Sequence, residues 1–358
     1  MHFKFQFYTT ASDTWASMLL ALRDAKTSID IEHFIFAADS VGNQFLEILK
    51  KKNKEGVKVR LLLDTVGSYS FFDSYLPYEL QNQGIEVRFF NPISPWRIHN
   101  FTSWFLRDHN KVIIIDKKIG FTGGVGIRSD MTDWRDTNAK VEGNVVGEML
   151  YSFNEIWEQA DDNTSFFGRI KKVRTYVRQM NFVTNAPYFK KRFLYYAFVQ
   201  ALRNSKKSVW LTTPYFIPNG KLLRELGLAA KRGVDVKVIV PRVFDVLLVE
   251  TASNSVFSEL LKNGVKIYRY QPGFIHAKTA VIDDRWATFG SFNLDNLSLI
   301  YNFEGNIVST DKKCINELSE HFKEDLNNSM EILEEDWARR SFIYKWREFF
   351  VSMIRKFL

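Results

Sequence analysis

The chain has 358 residues, 46% of them hydrophobic and 25% charged, a balance that excludes extensive disorder and lets the chain bury a full core. Its length suits two domains or one large two-part unit. Lys and Arg outnumber Asp and Glu by 49 to 41, so the net charge of +8 favours an anionic partner such as nucleic acid, phospholipid headgroups or a phosphorylated substrate.

In chain order, Met1 to Phe7 alternate like a strand and show no secretion signal. Residues 12 to 25 carry apolar positions at helical spacing, Ile29 to Phe36 read as a strand, Gly42 to Asn53 as a helix and Val57 to Leu63 as a buried strand. Leu76 to Gln83 read as a helix before another strand at Ile85 to Phe90, with Gly56 and Gly84 where a helix gives way to a strand. Alternating β and α elements predict a layered α/β fold. The pattern breaks at Asp161-Asp162-Asn163-Thr164-Ser165, near a boundary between residues 165 and 166.

The second half repeats the first. Ala21-Leu22-Arg23 returns as Ala201-Leu202-Arg203 at an offset of 180 (201 minus 21), and Gly84-Ile85-Glu86-Val87 as Gly264-Val265-Lys266-Ile267 at the same offset (264 minus 84). The offset falls to 167 (276 minus 109) at a shared motif, so the first half holds an insertion of 13 residues (180 minus 167), rich in aromatic and basic residues around Trp96 and Trp104.

That motif is His109-x-Lys111-x4-Asp116 and His276-x-Lys278-x4-Asp283. On a strand, alternation puts the His and Lys on one face and the Asp on the other. Two imidazoles facing one phosphodiester could divide the tasks of nucleophile and general acid, while Lys111 and Lys278 supply positive charge to the phosphoryl oxygens. No metal or other cofactor is required. Asp116 and Asp283 are expected to be structural, capping the turn after the strand.

Each strand runs on into a small-residue turn, Phe121-Thr122-Gly123-Gly124 and Phe289-Gly290-Ser291-Phe292-Asn293. Gly124 would let the backbone approach a phosphate, and Ser291 and Asn293 could donate hydrogen bonds to it. Both halves then carry Glu-Gly-Asn, at Glu142 and at Glu304. A carboxylate there could accept from the Nδ1–H of a motif histidine and fix its tautomer.

These paired motifs resemble the phospholipase D superfamily over nearly the whole chain. Thr213-Pro214-Tyr215-Phe216-Ile217-Pro218, Tyr270-Gln271-Pro272-Gly273 and Asp284-Arg285-Trp286-Ala287-Thr288 are similar to segments of bacterial cardiolipin synthases, in a form without N-terminal transmembrane helices. The resemblance implies two tandem α/β halves, each a mixed sheet flanked by helices, over residues 1–165 and 166–338, with one active site at their pseudo-twofold interface. It also implies a two-step transfer through a phosphohistidine, with His109 as nucleophile and His276 as general acid and then base. The chain departs from the family's pattern at Gly126, where Asn is common, and at Leu297, where Arg is common.

The expected activity is a cardiolipin synthase-like phosphatidyl transfer to phosphatidylglycerol. Alternatives are a phospholipase D hydrolase or a nuclease or phosphodiesterase of the same superfamily. Apolar runs fall short of the roughly 18 residues that span a bilayer, so membrane contact is expected to be peripheral, on the inner face of the cell membrane from a cytoplasmic location. The expected anchor is a basic amphipathic helix over residues 339–358, with Phe342, Trp346, Phe349, Phe350, Met353 and Phe357 along one face. With that surface, anionic phospholipids (phosphatidylglycerol, cardiolipin) are the expected partners and nucleic acid is disfavoured. Cys314, the single cysteine, excludes an intramolecular disulfide and fits a reducing compartment.

Overall fold

The computed structural model describes residues 3–92, 106–161, 179–187 and 192–355. The expected boundary at 165/166, Trp96 and Trp104 of the insertion, and Phe357 lie outside the described residues. The first half comprises β1 (Lys4–Thr10), α1 (Ala11–Arg23), β2 (Ser28–His33), α2 (Gly42–Lys54), β3 (Lys58–Asp64), α3 (Tyr69–Phe72) and α4 (Leu76–Asn82). It continues with β4 (Glu86–Phe90), β5 (Lys111–Ile115), β6 (Ile119–Gly123), β7 (Arg135–Glu142) and α5 (Asn144–Asp161).

The second half comprises β8 (Met180–Asn185), α6 (Phe193–Asn204), β9 (Ser208–Thr212), β10 (Phe216–Ile217), α7 (Gly220–Lys231), β11 (Asp235–Pro241) and α8 (Leu247–Lys262). There follow β12 (Lys266–Tyr270), β13 (Thr279–Ile282), β14 (Trp286–Gly290), β15 (Leu294–Asp295) and β16 (Glu304–Ser309). The chain closes with α9 (Lys312–Asn327), β17 (Ser329–Glu331), α10 (Glu334–Ala338) and α11 (Phe342–Ile354).

The two sheets have the same topology. The first runs β1-β7-β6-β5-β2-β3-β4, and the second, read from the matching edge, β8-β16-β14-β13-β9-β11-β12 with β17 added outside. In each, three strands are parallel (β2, β3, β4; β9, β11, β12) and the hairpin strands run antiparallel, giving a mixed sheet. The helix-to-strand turns repeat as well: Gly56, Gly84, Gly233 and Gly264 adopt φ of 87°, 90°, 86° and 85°, a left-handed conformation costly for any residue with a Cβ.

One face of each sheet packs on its own helices: Ile29, Ile31, Ile113 and Ile115 meet α1 and α2, and Val209, Leu211 and Val238 meet α6 and α7. The opposite faces share a third core, in which Val112, Ile114 and Val141 of the first half join Val281, Phe289 and Ile307 of the second. Burying both faces explains the near-continuous β-branched runs in β5 and β13. It also brings the two motif copies to one interface.

Within the described residues the C-terminal helix α11 begins at Phe342 and packs on α8, and the end of the expected 339–358 segment lies outside them. Arg339 and Arg340 precede it, and Arg340 is not a free surface cation, because its guanidinium pairs with the buried Glu348 and lies over Trp337.

Candidate active site

β5 begins at Lys111, so His109 lies in the segment leading into it, and His276 likewise precedes β13. Each of these segments is tied to the other half. The His109 amide donates to Phe303 O at 2.9 Å and the Phe303 amide to Arg107 O at 2.9 Å; the His276 amide donates to Arg135 O at 2.7 Å and the Arg135 amide to Phe274 O at 3.0 Å. The residue after each of those partners is an acid. His109 Nδ1 meets Glu304 Oε1 at 2.9 Å, and His276 Nδ1 meets Asp136 Oδ2 at 2.9 Å. Each histidine is therefore oriented through Nδ1 by a carboxylate of the opposite half, and its Nε2 makes no hydrogen bond to it.

The expectation for Glu142 is corrected here. Glu142 ends β7, six residues along the strand from Asp136 and at its opposite end, paired in register with Lys4 and Ile119. The repeat of Glu304-Gly305-Asn306 is Asp136-Thr137-Asn138: Asn138 Oδ1 accepts from Val125 N at 3.1 Å as Asn306 Oδ1 accepts from Phe292 N at 3.0 Å. Matching letters misled, whereas spacing would have succeeded. Asp136 lies 27 residues after His109 (136 minus 109) and Glu304 28 after His276 (304 minus 276), against 33 for Glu142 (142 minus 109).

Lys111 Nζ donates to His109 O at 2.9 Å and Lys278 Nζ to His276 O at 2.6 Å, so both ammonium groups are held beside their histidines. Burial lowers all four. His276 falls to about 3, with Lys278 pushing the same way, while His109 is lowered against an opposing pull from Glu304. Lys111 falls to about 8 and Lys278 to about 7. A phosphodiester anion between them would favour every protonated form.

The turns after β6 and β14 are equivalent but not identical. Gly124 occupies the place of Ser291, and a Cβ there would stand 2.5 Å from Asp136 Oδ1. Ser291 donates its proton to Glu304 Oε2, so in this arrangement it braces the carboxylate rather than facing outward. Asn293 is buried, with Oδ1 lacking a partner. Its counterpart Gly126 is closely packed: a Cβ there would stand 3.1 Å from Ile35 and Met131, so a larger residue needs those side chains to give way. Nearby Asp295 is fully buried and raised to about 7 by that burial.

Asp116 and Asp283 sit at the far ends of β5 and β13 from the histidines. Asp116 accepts from the amides of Lys26, Thr27 and Ser28 at 2.6 to 3.1 Å, and Asp283 from those of Lys206, Lys207 and Ser208 at 2.7 to 3.0 Å. Both adopt positive φ, 52° and 55°, a region that Asp tolerates better than most residues. Aromatic rings wall the imidazoles: Phe34 lies 4.8 Å from His109, and Trp134 4.9 Å and Tyr215 6.5 Å from His276. Among the described residues no group of three or more His, Cys, Asp or Glu is placed to hold a metal ion.

The family described as "Cardiolipin synthase, PLD-like domain" matches residues 18–157 and 198–326. Cardiolipin synthase 1 of Bacillus cereus is 31% identical over 373 residues, covering 98% of this chain and 72% of its own length. A cardiolipin synthase of Halalkalibacterium halodurans is 33% identical over 348 residues, covering 94% and 69%. Among solved structures, phosphatidylserine synthase of Haemophilus influenzae shares the fold at a TM-score of 0.77 and 13% identity, covering 99% of this chain and 95% of that one. The chain belongs to the family of cardiolipin synthases built from phospholipase D-like domains.

Proposed function

We propose that this enzyme moves a phosphatidyl group between phospholipids at a single site shared by its two halves, and forms cardiolipin from phosphatidylglycerol. The observation that carries the reading is the crosswise pairing of His109 with Glu304 and His276 with Asp136. Two imidazoles oriented in this way, one from each half, supply the attacking nitrogen and the proton donor that an in-line exchange at phosphorus needs.

In the first step His109 Nε2 attacks phosphorus, the bond from phosphorus to the glycerol oxygen breaks, and His276 gives that oxygen its proton. In the second, His276 takes the proton from the glycerol hydroxyl of another phosphatidylglycerol, whose oxygen attacks phosphorus as the P–N bond breaks. Cardiolipin and glycerol result; water in place of the second lipid gives phosphatidic acid. Lys111 and Lys278 steady the phosphoryl oxygens, Asn293 lies at hand for one of them, and Gly124, lacking a side chain, makes room for the Asp136 carboxylate. Burial disfavours the imidazolium of His276, and the charge of an anionic substrate beside it favours the proton that the acid role needs. Asp116 and Asp283 act structurally, by fixing the turns that enter β2 and β9.

No helix among the described residues is long and apolar enough to cross a membrane. The enzyme would instead reach its lipids through α11, whose Phe342, Phe349 and Met353 are 70%, 60% and 57% exposed, with Lys345 and Arg347 on the same helix.

Purified protein incubated with phosphatidylglycerol vesicles, and separately with single-stranded DNA, in EDTA tests the activity. Cardiolipin with glycerol is expected. Nucleotide fragments would assign the site to a nuclease, and phosphatidic acid alone to a hydrolase.

A further inference from the structure

We propose that the mouth of the site itself sits on an anionic bilayer, seated by two matched apolar segments, residues 65–78 after β3 and residues 242–248 after β11, with α11 beside the second. This rests on the reading that the substrates are phospholipids and says which face of the molecule meets them.

The topology places both segments at the reactive end of the sheets. In the first half, β2 ends at His33, paired in register with Lys111 on one side and Leu63 on the other, so the chain leaves β3 beside the motif. In the second, Thr212 at the end of β9 pairs with Thr279 and Ile239, so the chain leaves β11 beside Lys278. Each segment is also tied to a ring that walls a histidine. Ser68 Oγ donates to Phe34 O at 3.0 Å, and Tyr215 Oη donates to Asp245 Oδ2 at 2.6 Å.

Exposure is concentrated there. Of 22 exposed large hydrophobic side chains among the described residues, five lie in the first segment, four in the second and eight on α11, leaving five for the rest of the surface. A water-facing surface scatters such side chains singly; a continuous set marks a contact. α11 joins the second segment because it packs on α8, and Arg355 O, just past its end, accepts from Asn296 Nδ2 at 2.9 Å, next to Asp295 of the site.

The chemistry fits a bilayer. The first segment is tyrosine-rich, with Tyr69, Tyr75 and Tyr78 exposed, as suits headgroup depth, and the second is aliphatic, with Val243, Leu247 and Leu248, as suits the acyl boundary. Arg242 and the α11 cations supply charge complementary to anionic headgroups, while Asp245 is turned onto Tyr215.

Cys314 is buried, so single cysteines can be labelled selectively. An environment-sensitive fluorophore at Leu247→Cys, Tyr75→Cys and, as a control on another face, Leu20→Cys is read with and without phosphatidylglycerol/phosphatidylcholine vesicles. A blue shift at 247 and 75 but not at 20, with an acyl-chain quencher acting most strongly at 247, is expected. Leu247→Ser/Leu248→Ser is expected to raise the apparent KM for vesicle substrate at least about tenfold and leave turnover of monomeric short-chain phosphatidylglycerol unchanged. No shift at 247, an equal shift at 20, or a shift from self-association without vesicles would each overturn the proposal. Insertion without turnover of any phospholipid would instead sink the functional reading on which it rests.

Discussion

His109 and Glu304 lie 195 residues apart in the chain and are joined by a 2.9 Å hydrogen bond in the folded protein. Neither half can orient its own histidine, which ties the duplication to the chemistry: one half alone holds an imidazole without its carboxylate.

Glu304→Gln and Asp136→Asn are each expected to lower kcat by about 10² to 10⁴-fold with little change in folding, because the amide invites the wrong tautomer and cannot balance an imidazolium. Glu142→Gln is expected to stay within about twofold of wild type, since its carboxylate has no part in the site. Steady-state kinetics on the three variants separates the assignments; a crippled Glu142→Gln beside an active Asp136→Asn would reverse them.

Asp116→Ala removes the acceptor for three backbone amides and leaves a Cβ-bearing residue at positive φ without side-chain support. A loss of about 1 to 3 kcal/mol is expected, with Asp116→Asn losing less, because Asn keeps one acceptor and tolerates the left-handed region. Urea unfolding midpoints read the difference. Equal losses would show that the backbone conformation contributes little.

Beneath the site, Glu32 accepts from Asn110 Nδ2 at 2.8 Å, and burial raises its carboxyl to about 7. The folded protein then keeps a proton that the unfolded chain releases above about 4.5. Asp108 beside it is likewise raised by burial and by the Glu32 charge, so the two carboxyls hold protons as a pair and the associated stability, complete in acid, is lost as pH rises toward and through 7. Glu32→Gln, which imitates the neutral acid, is expected to match wild type near pH 4.5 and to gain several degrees of Tm near pH 8. His276, lowered to about 3, acts in the opposite sense: its share of stability is present above 6.5 and lost as pH falls toward 3. Thermal melts across this range check both signs.

Removing residues 341 to 358 takes away α11 and its exposed aromatic face together with the Arg340 partner Glu348. Sedimentation with phosphatidylglycerol vesicles is expected to fall at least about tenfold. Trp346→Ser/Phe349→Ser, which leaves the Arg340–Glu348 pair in place, should reproduce most of that loss; undiminished binding by both would exclude α11 as the anchor.

The fold was legible because it is written twice: the recurrence of Ala-Leu-Arg and of the segments beginning at Gly84 and Gly264 gave two α/β halves, and Gly56 and Gly84 marked helix ends that are left-handed in the structure. Strand alternation was a weaker guide at the site, since His109 precedes β5 and is held by a bridge to Phe303 rather than by its own strand. The partner of His276 escaped because Asp136-Thr137 shares neither letter with Glu304-Gly305, although both pairs lie within the first three residues of the last strand of the motif region. A carboxylate one methylene shorter works there because Gly124 leaves space that Ser291 fills in the other half.

The covalent step on His109 is the most direct test of the shared site. With a phosphatidyl p-nitrophenyl ester, whose leaving group needs no acid, His276→Ala should accumulate a phosphatidyl adduct on His109 at close to one per chain, detected by acid-quenched peptide mass spectrometry. His109→Ala should give none. An adduct on residue 276 in the His109→Ala protein, or no adduct on His109 in the His276→Ala protein, would contradict it.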